Sequence, residues 1–228
     1  MNLIKTFGLL SGLSGTYRFA NAKLINRESV LEHLGGVTLM CLLIYTEMVV
    51  LANKIERLDS DVVARIGGEL GEVLARAICH DIEEAITGDV PRTIKHRSAE
   101  TREAFFNMGS DAVDQISEDL DLEACVISDY WHSAKSDDLA GMIVRLADVL
   151  AVVYTIHGEA VERGNRAMMS RATTVMGQLD ACAGEFHDAK FGDSAIKEWV
   201  LDLIGQAKVI VALAKATSSE ATLTEDQM

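Results

Sequence analysis

The chain has 228 residues, 49% hydrophobic and 25% charged, with a formal net charge of −14. That is enough for one domain with a real core. So acidic a balance excludes a duplex or single-strand nucleic-acid binder, which needs a basic face to displace counterions.

Only one proline occurs, Pro91, and aromatics are few, so the expected core is Leu, Ile, Val, Ala and Met on long helices. Met1 to Leu13 carries one lysine and a short apolar stretch broken by glycines, a weak match to a signal peptide with no clear cleavage site. A first helix is predicted over 30–56. Its most apolar run, Val37 to Ala52, is interrupted by Glu47, falls short of a membrane span and reads as a buried core helix. A second spans 61–86, with Asp59-Ser60-Asp61 as N-cap chemistry. Gly88 ends it and Pro91 prevents resumption, so Thr87 to His96 reads as a loop. Further helices are predicted over 98–117, 121–133, 137–163, 166–187 and 193–216, with a break at Gly164-Asn165. Leu139, Ile143, Leu146, Leu150 and Val153 recur at helical spacing, and no alternating strand pattern appears. The fold class is therefore all-α, a single helical domain over 1–216 with a polar, frayed tail at 217–228. Cys41, Cys79, Cys125 and Cys182 form no CxxC and read as buried thiols in a reducing cytoplasm.

His80 and Asp81 are the most informative pair. Imidazole beside carboxylate suits a divalent metal of borderline hardness. Adjacent residues on a helix project about a quarter-turn apart, so both reach one ion near a helix end. His33 and Asp148 lie on other predicted helices and complete a set of two imidazoles and two carboxylates, leaving positions for water and a phosphate oxygen. One His-Asp dipeptide is common and says little. Asp148, however, lies in the apolar run Met142 to Val153, where an ionised carboxylate needs a partner, an arginine or a metal. Glu84 follows His80 by four positions and shares its helix face, whereas Glu83 reads as the solvent-facing neighbour. His157 and His187 take surface or packing roles. His96 follows the loop and could touch substrate, and His132, beside Trp131, could sit near the cleft.

At these residues the sequence resembles the HD-domain phosphohydrolase superfamily, and within it the bacterial 5′-deoxynucleotidases and related phage deoxynucleotide phosphohydrolases. Three blocks carry the resemblance: Tyr17-Arg18-Phe19 with Arg27 to His33; Cys79 to Lys95, including Thr87-Gly88-Asp89-Val90-Pro91; and Arg145-Leu146-Ala147-Asp148. The resemblance implies an all-helical HD domain that hydrolyses deoxynucleotides with a divalent cation (Co, Mn, Zn, Fe or Mg). It implies His33, His80, Asp81 and Asp148 as metal ligands, Glu84 as the acidic catalytic residue, Asp89 as the loop aspartate near the scissile phosphate, and Arg18 as a substrate arginine. Phe19 stands where the family carries tryptophan beside the sugar. Lys95 could add a charge to the phosphate, although a surface role is the better reading on a loop.

The expected reaction is dNMP plus water to deoxynucleoside and phosphate. The alternative is a dATP-type triphosphohydrolase, which needs more cations, with Lys23, Arg92, Lys95 and Arg97 as candidates. A non-enzymatic helical regulatory protein would need none of these ligands. The expected partners are a deoxynucleotide and further copies of the chain, with no nucleic-acid polymer and no membrane.

Overall fold

The computed structural model describes residues 3–54, 70–121, 125–189 and 194–225. They form α1 (Leu3–Gly15), α2 (Val30–Lys54), α3 (Leu70–Cys79), α4 (Glu84–Thr87), α5 (Arg92–Lys95), α6 (Ala99–Asp119), α7 (Cys125–Ser133), α8 (Leu139–Ile156), α9 (Met169–Asp188) and α10 (Ser194–Glu225). Among the described residues the only β feature is an isolated antiparallel bridge between Tyr17 and Ser29. The all-α expectation holds.

The apolar helix α8 is the axis of the core. Ile143, Leu146 and Ile156 are fully buried, and α2, α3, α9 and α10 pack around it. Its start is fixed by Asp138, whose Oδ1 accepts from the Gly141 N–H at 2.8 Å and from Arg76 at 2.6 Å. Gly141 is required there, because a Cβ would lie 2.2 Å from the Ser136 carbonyl oxygen. Helix α2 opens with a capping box. Glu32 Oε2 accepts from the Ser29 N–H at 2.7 Å, and Ser29 Oγ accepts from the Glu32 N–H at 3.2 Å. Among the described residues two segments are long and apolar enough to cross a membrane, Val30–Lys54, longer than the apolar run read from sequence and 33% buried, and Leu139–Glu162, 67% buried inside the domain. A smaller cluster of Ile82, Val113, Ile116 and Trp131 lies beneath α6 and α7.

Several boundaries differ from the sequence reading. Residues 3–15, unassigned from sequence, form α1. Gly12 lets it approach α4, where a Cβ would lie 3.1 Å from the Ala85 carbonyl, and Leu13 packs with Val30 and Leu34. The predicted helix 61–86 breaks after Cys79, and residues 80–83 turn through i to i+3 bonds such as Ile82 N–H to Cys79 O. Its expected cap, Asp59-Ser60-Asp61, lies outside the described residues. Gly88 has φ 71°, as a left-handed stop requires, but Pro91 starts the single turn α5 instead of preventing it. Beyond α8 the chain makes a π-helical turn, His157–Glu162, before the Gly164 break at φ 67°. Helix α10 continues to Glu225, into the segment expected to be a frayed tail; no glycine or proline after Gly205 interrupts it.

Candidate metal centre

Three elements bring the expected ligands together. Helix α2 supplies His33 from its first turn, the break after α3 supplies His80 and Asp81, and α8 supplies Asp148. One ligand atom from each lies within 4.8 Å of the other three. His33 Nε2 is 3.2 Å from Asp148 Oδ1 and 3.8 Å from Asp81 Oδ2, and His80 Nε2 is 3.3 Å from Asp81 Oδ2.

The donor set fits a divalent cation. Buried polar atoms are normally hydrogen-bonded. Here His33 Nε2, His80 Nε2 and Asp148 Oδ1 are buried without a hydrogen-bond partner, and so is the neighbouring Glu84 Oε2. His80 Nδ1 lies 2.7 Å from the Ala77 carbonyl oxygen, which can only accept. The proton therefore sits on Nδ1 in the neutral ring, and Nε2 presents its lone pair to the cluster. His33 is held differently. Its Nδ1 accepts from the Arg18 guanidinium, which can only donate, so its proton sits on Nε2. Ligation through His33 Nε2 requires that tautomer to change.

The electrostatics follow from crowding these groups. Burial lowers His80, but the Asp81 carboxylate beside it outweighs this and carries it up to about 9. Burial raises Asp148, yet His33 and Arg18 bring it down to about 2. Asp81 is likewise held well below the carboxylate range, against burial, by His80 and His33. His33 is lowered by burial and then by Arg18.

Glu84 begins α4, 97% out of contact with solvent. Burial, followed by the Asp81 charge, pushes it up to about 8, although Lys95 opposes the shift from 3.0 Å. Lys95 is thus engaged by Glu84, not a free loop cation. Glu83 does not face solvent as expected. It is buried, and its Oε2 accepts from the Trp131 indole N–H at 2.7 Å. The i to i+3 turn at residues 80–83 accounts for this, because it rotates Glu83 inward relative to a continuous helix.

Arg18 lies 3.6 Å from both Asp148 Oδ1 and Glu28 Oε2. Phe19 is buried in the left-handed region at φ 55°, unusual for a bulky side chain. Asp89 Oδ2 accepts the Phe19 N–H at 2.7 Å, so the loop aspartate clamps the strained residue. All nine expected site residues therefore belong to one connected neighbourhood. His132 instead lines a groove with Glu72, Asp129 and Tyr130, and His96 is exposed at the end of α5. His157 and His187 pair locally with Glu162 and Asp188, in keeping with surface roles.

Sequence reasoning missed four further groups. Glu28 faces Arg18, Trp131 holds Glu83, and Arg171 on α9 lies 4.8 Å from the centre of the Phe19 ring. Lys135 stacks 3.3 Å from the Trp131 ring centre. Glu28 could have been found inside the Arg27 to His33 block; the other three carry no local signal.

No curated protein matches the sequence. Among solved structures, an HD-domain phosphohydrolase from Listeria innocua superposes with TM-score 0.65 at 18% identity, covering 98% of this chain and 100% of that one. The PH0347 protein from Pyrococcus horikoshii OT3 superposes with TM-score 0.60 at 17% identity, covering 91% and 100%. These likenesses establish the fold. Residues 5–199 match the family described as 5′-deoxynucleotidase YfbR-like, which spans the metal cluster and all its neighbours. The chain belongs to the YfbR-like 5′-deoxynucleotidase family, and is a metal-dependent phosphohydrolase of deoxynucleotides.

Proposed function

We propose that the chain hydrolyses deoxynucleoside 5′-monophosphates to deoxynucleoside and phosphate. The observation that carries this reading is the convergence of unpartnered His33 Nε2, His80 Nε2 and Asp148 Oδ1 beside a buried Glu84. His33, His80, Asp81 and Asp148 hold the divalent ion. Their mixed nitrogen and oxygen donors suit Mn, Co, Fe or Zn better than Mg, which prefers oxygen. When bound, the ion supplies positive charge against the phosphate and acidifies water at the site.

The chain's own groups do the rest. Water adds to phosphorus, the bond to the 5′ oxygen breaks, and that oxygen takes a proton. Glu84, raised to about 8, can hold or release a proton near neutral pH and serves this transfer. Arg18 forks onto phosphate oxygens. Asp89 fixes Phe19, whose ring forms an apolar wall for the sugar, and its second oxygen takes the hydrogen bond of the leaving hydroxyl. Lys95 orients Glu84 and adds charge beside the phosphate.

The exposed side of α2, with Leu39 and Leu43, supports self-association of the chain. Buried free thiols at Cys41, Cys79 and Cys182 support a reducing, cytoplasmic setting.

The test is product analysis on metal-loaded protein with each dNMP and dNTP, and ribonucleotides as controls. Phosphate from dNMPs alone supports the reading. Inorganic triphosphate from a dNTP overturns it in favour of the triphosphohydrolase. Neither product under several metals removes deoxynucleotides as substrates.

A further inference from the structure

The cations of the site differ in what already neutralises them. Arg18 faces Asp148 and Glu28, and Lys95 is paired with Glu84. A phosphate dianion would have to compete with carboxylates for both. Arg171 is held by Asn21 Oδ1, to which it donates, and by the Phe19 ring 4.8 Å away. Lys135 is different. Among the described residues no carboxylate comes within salt-bridge distance of its ammonium, which meets the Trp131 ring at 3.3 Å and the Trp131 carbonyl at 3.2 Å. Yet the ring that carries it reaches Glu83 through the indole N–H, so the ammonium stands beside the chain segment that holds Asp81 and Glu84.

Trp131 places it there. The ring is 99% buried, and Gly109 beneath it leaves no space for a side chain, since a Cβ would lie 2.9 Å from Trp131 Cζ2. The indole edge donates to Glu83 at 2.7 Å while the ring carries the ammonium. One fixed ring thus ties the residue before Glu84 to a lysine some fifty positions away. The protein gathered around that ammonium lowers it to about 8, although the side chain reaches solvent; it remains mostly charged at neutral pH.

We propose that Lys135, held on Trp131, is a further substrate-binding residue, the cation that takes a phosphate oxygen on the Asp81 and Glu84 side of the cleft. This rests on the phosphohydrolase reading. A lysine that merely closes the end of α7 through the Trp131 carbonyl would have no effect on phosphate.

The probe is inorganic phosphate, titrated by calorimetry into the full-length, manganese-loaded protein, beside steady-state kinetics on a dNMP. Lys135→Met should weaken phosphate binding about ten-fold and raise KM by a similar factor, the effect falling on KM more than on kcat. Lys135→Arg should recover most of the loss. Trp131→Phe, which keeps the ring but loses the N–H, should bind phosphate more tightly than Trp131→Leu. Phosphate affinity in Lys135→Met equal to wild type overturns the proposal, as does a loss explained by lost manganese. Wild type that binds phosphate but cleaves no deoxynucleotide would sink the proposed function while the Lys135 comparison still decides this one. Wild type that does neither overturns both.

Discussion

Metal binding at this site should displace a proton from His80. In the metal-free protein its imidazole is carried to about 9 by Asp81, so at pH 7 it is charged and cannot ligate. Asp81 and Asp148 are held below the carboxylate range and His33 is lowered, so those three need lose no proton at neutral pH. The uptake of one ion therefore releases about one proton from His80, and part of a second if the cation draws Glu84 into ionisation. Affinity should rise about ten-fold per pH unit below 9, or roughly 30-fold between pH 6.5 and 8, about 2 kcal/mol. The linkage to folding has the opposite sign. A raised imidazole stabilises the metal-free fold fully below about 6.5, and this is lost as pH rises through 9. Metal-free stability should thus decline over that window while the increment from manganese grows. Calorimetry in buffers of different ionisation enthalpy counts the protons, and thermal melts with and without manganese read the linkage. Affinity that is flat from pH 6.5 to 8, with no proton released, would refute the reasoning.

Asp148→Asn should remove the metal-dependent part of stability. At a metal concentration of about 100 times Kd the wild type gains about 2.7 kcal/mol, a Tm shift of roughly 5–10 °C for a chain of this size. A comparable shift in the variant would show that Asp148 is not a ligand. Glu84→Gln should keep metal stoichiometry and lower kcat by at least about 100-fold; wild-type turnover would remove Glu84 from the proton transfer. Arg18→Ala should have opposite effects on two assays. Losing the guanidinium frees His33 Nδ1 and removes a positive charge beside the cation, so manganese binds several-fold tighter. Turnover of dNMP falls through a higher KM, and weaker manganese binding would contradict the His33 tautomer argument.

The site was legible where chemistry is local in sequence. Four candidate ligands in order, two imidazoles and two carboxylates, with Glu84 one turn beyond the His-Asp pair, were enough to assemble the cluster because each sits at a defined place on a helix or its end. What the sequence hid was the break after Cys79. Periodicity runs straight through Leu70 to Ile86, and the apolar residues on both sides suit one helix. The turn is set by tertiary partners: Glu83 reaches Trp131 on α7, and Ile82 packs with Val113 and Ile116 on α6. Helix α1 was hidden for a related reason. Its glycines weaken the helical signal, while Gly12 is what permits close contact with Ala85.

That break also explains how three carboxyls within four residues come to differ. Asp81, Glu83 and Glu84 lie too close to be ionised alike in a buried site without cations. The turn sends each to a different environment. Asp81 meets two imidazoles and is held ionised; Glu83 meets an indole N–H and is raised by burial; Glu84 meets a single lysine and is carried up to about 8. Separated acidities of this kind divide labour between a ligand and a proton carrier. On the continuous helix read from the sequence, Glu84 shares the His80 face and Glu83 faces solvent, away from the Trp131 N–H. The packing of Ile82 and the anchoring of Glu83 thus hold the turn that sets Asp81 and Glu84 in different surroundings, although neither residue belongs to the metal cluster.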